Sequence, residues 1–270
     1  MKSTIVTSLQ NINRETLDGR NWESYLEWFS KTLQINSPMV VFVDENLKDF
    51  VKQARKGKST FIVCEKLSEI PLYHLKDKMD SIMSSERYQD IISDSQRIEC
   101  KSSLYNIIQY SKFKWMKKAT EINPFGTKNF VWMDAGLSRF FEDLNIAKEY
   151  PGVNGSKILE DNPDRLLVQC FAHSYPDLFF AKKIDESYLL DNRSYVMGGM
   201  FAGNIASIQK IDKVVDEYLV DKMLNKGIIN NEQILLGYLI KNIPDLFTVF
   251  INEYPHRQHR NYELIHLLGR

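Results

Sequence analysis

The sequence predicts an α/β fold, and three observations carry the prediction. Seven short apolar runs of strand length recur along the 270 residues. Helical apolar spacings separate several of them, and no repeat, low-complexity segment or composition break divides the chain. The runs are 3–9 ("STIVTSL"), 39–44 ("MVVFVD"), 60–65 ("TFIVCE"), 130–134 ("FVWMD"), 166–171 ("LLVQCF"), 195–203 ("YVMGGMFAG") and 246–251 ("LFTVFI").

Between the first and second runs, Trp22, Tyr25, Leu26, Phe29 and Leu33 fall at helical spacing, and between the second and third so do Leu47, Phe50, Val51 and Ala54. Strand–helix–strand–helix–strand is the opening of a doubly wound sheet. Residues 66–105 are more polar and read as short helices mixed with loops. A helix is predicted over 111–122, stopped by Asn123-Pro124. The stretch 149–165 concentrates Pro, Gly, Asn and Asp and reads as a loop. Ile205, Ile208, Ile211, Val215 and Leu219 mark a helix after the glycine-rich strand. Asn231 caps a last helix carrying Ile234, Leu235, Tyr238 and Leu239.

Composition narrows the function classes. With 43% hydrophobic residues the chain can build a sizeable core, and disorder is disfavoured. Lys+Arg and Asp+Glu both number 35, which removes the electrostatic footprint of a nucleic-acid binder. The apolar run at the start is too short for a signal peptide, and nothing approaches the roughly 20 apolar residues that span a bilayer. Cys64, Cys100 and Cys170 lie far apart without metal-like or redox-like spacing, and Cys64 and Cys170 end apolar runs. They read as buried thiols of a reducing compartment, so a soluble cytoplasmic protein is expected. Nucleophile elbow, Walker loop, Cys-x-x-Cys and His-Glu-x-x-His motifs are missing, which disfavours the common hydrolases, nucleotide triphosphatases and zinc proteases.

Four features could carry chemistry. Asp134 sits where the strand 130–134 emerges, with the small Ala135 and Gly136 beside it; in open α/β sheets ligands bind outside the carboxyl ends of strands. An acid there is either a site residue or the cap of the next helix. "MGGMFAGN" (197–204) leaves side chains out of an apolar strand at Gly198, Gly199 and Gly203. It is either a bulged strand or a bare wall for a sugar, with Asn204 offering an amide to its hydroxyls. Glu232 falls in the first turn of its helix, where the macrodipole stabilises an anion and where a general base would also be held in place. His256, His259 and His266 cluster near the C-terminus, an exposed polar tail or a source of imidazoles for a divalent metal with Asp134.

Taken in order, these features resemble a GT-A type glycosyltransferase. "NWESYLEWF" (21–29), "MVVFVD", "NPFGTKNFVWMDAGLSRF" (123–140) and "MGGMFAGN" resemble the HtrL/YibB family of bacterial proteins over nearly the whole chain. The resemblance implies one GT-A-like, Rossmann-like domain over 1–270 with a mixed, mainly parallel central sheet flanked by helices. Its nucleotide-binding part would span about 1–135 and its acceptor side about 136–270. It implies transfer from a nucleotide sugar, a UDP-sugar, to a hydroxyl of a surface glycan such as lipooligosaccharide or capsule. The acceptor would be a glycan or lipid-linked glycan met in the cytoplasm, at the inner face of the membrane by peripheral association. Neither nucleic acid nor a transmembrane segment enters this reading.

The same resemblance implies the site. GT-A enzymes hold a divalent metal, Mn²⁺ or Mg²⁺, through an Asp-x-Asp motif; Asp134 matches the first acid, and Gly136 stands where the second is expected. Asp134, His256 and His259 are then the metal candidates. Thr7, Ser8 and Leu9 would border the nucleotide, Asp44 the uridine, and Lys112 would reach the diphosphate, alongside Asp134, Ala135 and Gly136. Gly198, Gly199 and Asn204 would line the sugar. Glu232 would be the general base of an inverting enzyme, or orient the acceptor in a retaining one. A non-catalytic sugar-nucleotide or protein-binding module on the same fold is the rival reading, kept open by Gly136.

Overall fold

The computed structural model describes residues 3–141, 144–252 and 263–270. All seven predicted strands form: β1 (Thr4–Leu9), β2 (Met39–Val43), β3 (Thr60–Cys64), β4 (Asn129–Met133), β5 (Leu166–Phe171), β6 (Val196–Asn204) and β7 (Phe247–Asn252). They join one sheet in the order β3-β2-β1-β4-β6-β5-β7. The pairs β1–β2, β2–β3, β1–β4 and β5–β7 are parallel, and β6 runs antiparallel to β4 and β5. The fold is therefore α/β around a mixed, mainly parallel sheet.

Helices cover both faces. After β1 come α1 (Arg14–Asp18) and α2 (Trp22–Thr32), and α3 (Lys48–Ala54) links β2 to β3. α4 (Lys76–Met83), α5 (Glu86–Ile91) and α6 (Ser103–Ile122) lead to β4, and α7 (Val153–Asp161) precedes β5. α8 (Pro176–Phe180) lies between β5 and β6. Then α9 (Ile205–Glu217) and α10 (Glu232–Asn242) separate β6 from β7, and α11 (Glu263–Gly269) follows in the C-terminal segment.

Side chains alternate across a strand, and this alternation splits the core in two. Val6, Val40, Phe42, Phe130, Trp132 and Phe201 face α6, α9 and α10. Ile5, Met39, Val41, Val43, Val131 and Met133 face α2, α3, α7 and α11. Strands buried on both faces are near-continuously apolar, which is why β2 and β4 in particular were legible as apolar runs. On the first face Phe42, Trp115, Trp132, Phe201 and Phe113 stack in sequence at 5.2–6.1 Å between ring centres. This aromatic row fastens α6 to the sheet, and with it Lys112.

Three local expectations change. The stretch 149–165 is not all loop, because α7 occupies Val153–Asp161. Its Pro, Gly, Asn and Asp sit mostly at the two ends of the helix, while Leu159 is buried between them. The helix expected over 111–122 starts earlier, at Ser103, where the Ser102 hydroxyl accepts from the Tyr105 amide at 3.3 Å. Cys64 is half-buried on the edge strand β3, whereas Cys100 and Cys170 are buried, and all three are free thiols.

The reversed direction of β6 is what builds the site. Met133 pairs with Met200, and the Asp134 amide donates to the Gly199 carbonyl at 2.9 Å. Gly198 and Gly199 thereby come beside the emerging end of β4. The other end of β6 lies at the opposite edge of the sheet, with Asn204 facing Asn129.

Candidate active site

A cleft of about 460 Å³ opens where β1 and β4 end, and its size falls in the range of small-molecule sites. Ser8 and Leu9 at the end of β1, then Asp134, Ala135 and Gly136 after β4, border it, and Gly199 joins from β6. The chain after β1 forms another wall with Arg14 and Arg20. Here Gly19, at φ 75°, adopts a left-handed backbone that side-chain-bearing residues avoid. The turn lets Arg20 come back to Asp18 at 3.6 Å and to the Tyr25 hydroxyl at 3.4 Å. Arg14 pairs with Asp18, donates to the Tyr25 hydroxyl at 2.8 Å and lies over the Tyr105 ring at 4.8 Å.

At the floor stands Lys112, only 2% exposed. Its Nζ donates to Glu232 Oε1 at 2.8 Å and to the Gly198 carbonyl at 3.2 Å, and lies 3.1 Å from Asp134 Oδ1. Asp134 Oδ1 also accepts from the Trp132 indole at 2.7 Å. The Asp134 carboxylate is thus no helix cap; it orients a buried ammonium. Burial works against the Lys112 charge, but Asp134 and Glu232 outweigh it and hold the proton above the ordinary lysine range. For Glu232, burial raises the carboxyl above its usual range, and Lys112 offsets this in part. Glu232 Oε2 is buried without a hydrogen-bond partner.

The structure brings together Ser8, Leu9, Lys112, Asp134, Ala135, Gly136 and Gly199 along the cleft. Glu232, 1% exposed, stands behind Lys112 and not on the lining. Gly198 makes room for Glu232: a Cβ there would lie 2.2 Å from Glu232 Oε1. Thr7 is fully buried in the sheet. Asp44 follows β2 and caps the next turn, its carboxylate accepting from the Asn46 amide at 3.0 Å. Asn204 is the cap of α9, accepting from the Ser207 amide at 2.8 Å and donating to Asp164 at 2.9 Å, on the far edge from the cleft. His256 and His259 lie outside the described residues.

Sequence reasoning missed Arg14, Arg20, Arg139 and Gln233 on the lining. The signal available was weak: two arginines soon after a strand, one three residues past Gly136, and a glutamine beside Glu232. Of the expected metal ligands only Asp134 lies among the described residues. Gly136 supplies no carboxylate, an ammonium already stands against Asp134, and no three His, Cys, Asp or Glu side chains among the described residues converge to hold an ion.

Comparison with known proteins agrees with the sequence resemblance. A model of the family described as "Bacterial protein of unknown function (HtrL_YibB)" matches residues 1–257. The chain is similar to Protein HtrL of Escherichia coli (strain K12), 21% identical over 239 residues, covering 87% of this chain and 79% of that protein. Among solved structures it is similar to 4-diphosphocytidyl-2C-methyl-D-erythritol synthase from Anaerococcus prevotii DSM 20548. That match has 9% identity and a TM-score of 0.41 over 99% of this chain and 96% of the other.

Proposed function

The chain belongs to the HtrL/YibB family, and from the cleft it carries we propose that it is a glycosyltransferase using a nucleotide sugar, a UDP-sugar by preference, on a hydroxyl of a surface glycan. The observation that carries the reading is the fixed Lys112 ammonium on the floor, at the carboxyl end of β4, with arginines on the walls. A nucleotide-sugar diphosphate requires cations, and ligands of open α/β sheets lie at this edge.

In this reading an acceptor hydroxyl oxygen bonds to the anomeric carbon as the bond from that carbon to the phosphate oxygen breaks, and the hydroxyl proton passes to solvent water. The phosphate oxygen keeps the electron pair, so negative charge grows on the leaving diphosphate. Lys112, held by Asp134 and Glu232, and the arginines on the walls fix positive charge along the cleft, which is what electrostatic preorganisation requires. Gln233, in the first turn of α10 and on the cleft lining, offers the amide to sugar hydroxyls that was expected of Asn204. Glu232 acts through Lys112 by holding it in place. No helix among the described residues is long and apolar enough to cross a membrane.

A thermal-shift screen of UDP-, GDP-, ADP- and CDP-sugars, followed by assay of nucleoside diphosphate release, tests the proposal. Ligand binding to the native state raises the melting temperature. The expected result is stabilisation by a UDP-sugar together with release of UDP. No stabilisation by any of the nucleotide sugars would sink the reading. Binding without UDP release, even with glycan acceptors present, would favour a non-catalytic sugar-nucleotide module.

A further inference from the structure

We infer that Arg139 occupies the diphosphate-neutralising role of a metal ion, so that this cleft binds a nucleoside diphosphate without a divalent cation. The inference rests on the nucleotide-sugar reading above and specifies how that site handles charge.

Three observations converge on Arg139. Its Nε donates to the Gly136 carbonyl at 2.9 Å, and its guanidinium lies over the Trp28 ring at 4.5 Å. One nitrogen and one face are therefore fixed, while the two terminal nitrogens make no hydrogen bond and no ion pair among the described residues. Arg139 also lines the cleft, beside Asp134 and Gly136. A guanidinium held in this way matches a phosphate with two parallel hydrogen bonds and gives up little freedom on binding.

Gly136 makes the arrangement coherent. A Cβ at this position would lie 3.7 Å from both Nε and Nη2 of Arg139 and 3.4 Å from Trp28. A carboxylate grown from it would pair with Arg139 and cancel its charge. The glycine that removes a second acidic metal ligand thus also leaves a cation unpaired among the described residues at the same place. On the floor, by contrast, the Lys112 ammonium is paired with Asp134 at 3.1 Å and Glu232 at 2.8 Å. Arg14 is likewise engaged with Asp18. The described cleft has its positive charges covalently built in.

Calorimetric titration of the full chain with UDP, in EDTA and again with Mn²⁺, tests this. Wild type should bind UDP in EDTA, with no more than about a threefold gain from Mn²⁺. Arg139→Gln, at an exposed position, should weaken binding in EDTA by about 10- to 100-fold, the loss expected for a charge-assisted hydrogen bond. Gly136→Asp should weaken it comparably, by pairing with Arg139, and Mn²⁺ should restore part of the loss. UDP binding by wild type that requires Mn²⁺, or Arg139→Gln binding as tightly as wild type, would overturn the inference while the nucleotide-sugar reading stands. No UDP binding under either condition would overturn both.

Discussion

Gly198 and Glu232 contend for one space, since a Cβ on the glycine would approach Glu232 Oε1 to 2.2 Å. The bare backbone expected to face a sugar instead admits a carboxylate that fixes Lys112. This bears on what Glu232 does. A general base must come within hydrogen-bond reach of the proton it removes, and Glu232 is screened from the cleft by Lys112. Glu232→Gln keeps an acceptor for the Lys112 ammonium and removes one negative charge behind the floor. UDP affinity should therefore hold or rise, and turnover should fall by less than about tenfold. Side-by-side titration and steady-state kinetics read this directly. A loss of about 10²–10⁴-fold in kcat with unchanged affinity would instead identify Glu232 as the base. Removing Lys112 itself would leave Glu232 buried and unpaired, a defect worth about 3–5 kcal/mol, so a lysine variant would report on folding before chemistry.

At the scale of elements, two asparagines show what sequence alone can and cannot assign. Asn231 was legible as the cap of α10, and its side chain accepts from the Ile234 amide at 3.1 Å. Asn204 does the same for α9 through the Ser207 amide, yet it read as a sugar contact. The difference lies in strand direction: Gly199 meets the cleft in the first half of β6, and the strand's antiparallel course carries Asn204 to the other end of the sheet. Apolar periodicity carries no information about direction. Asn204→Ala should lower stability by about 1 kcal/mol, as loss of a helix cap does, and leave UDP affinity unchanged within about twofold. Chemical denaturation and titration of the same preparation check both halves. A tenfold loss of affinity without loss of stability would restore Asn204 to the site.

Across the whole molecule, the strands were legible because helices bury both faces of the central part of the sheet and keep its strands mainly apolar. Asp134 and Lys112 were legible because one ends a strand and the other was placed by resemblance. The arginines were not, because Arg14, Arg20 and Arg139 belong to two segments more than a hundred residues apart. They converge only once β1 and β4 lie side by side. That adjacency is the central claim of the functional account: the edge where β1 and β4 end is the donor site. Hydrogen–deuterium exchange with and without a UDP-sugar measures it most directly. The account predicts slowed exchange confined mainly to residues 8–16 and 134–139, the two segments that border the cleft. Unchanged exchange in both segments with saturating donor, or protection centred on β5 and β7, would contradict it.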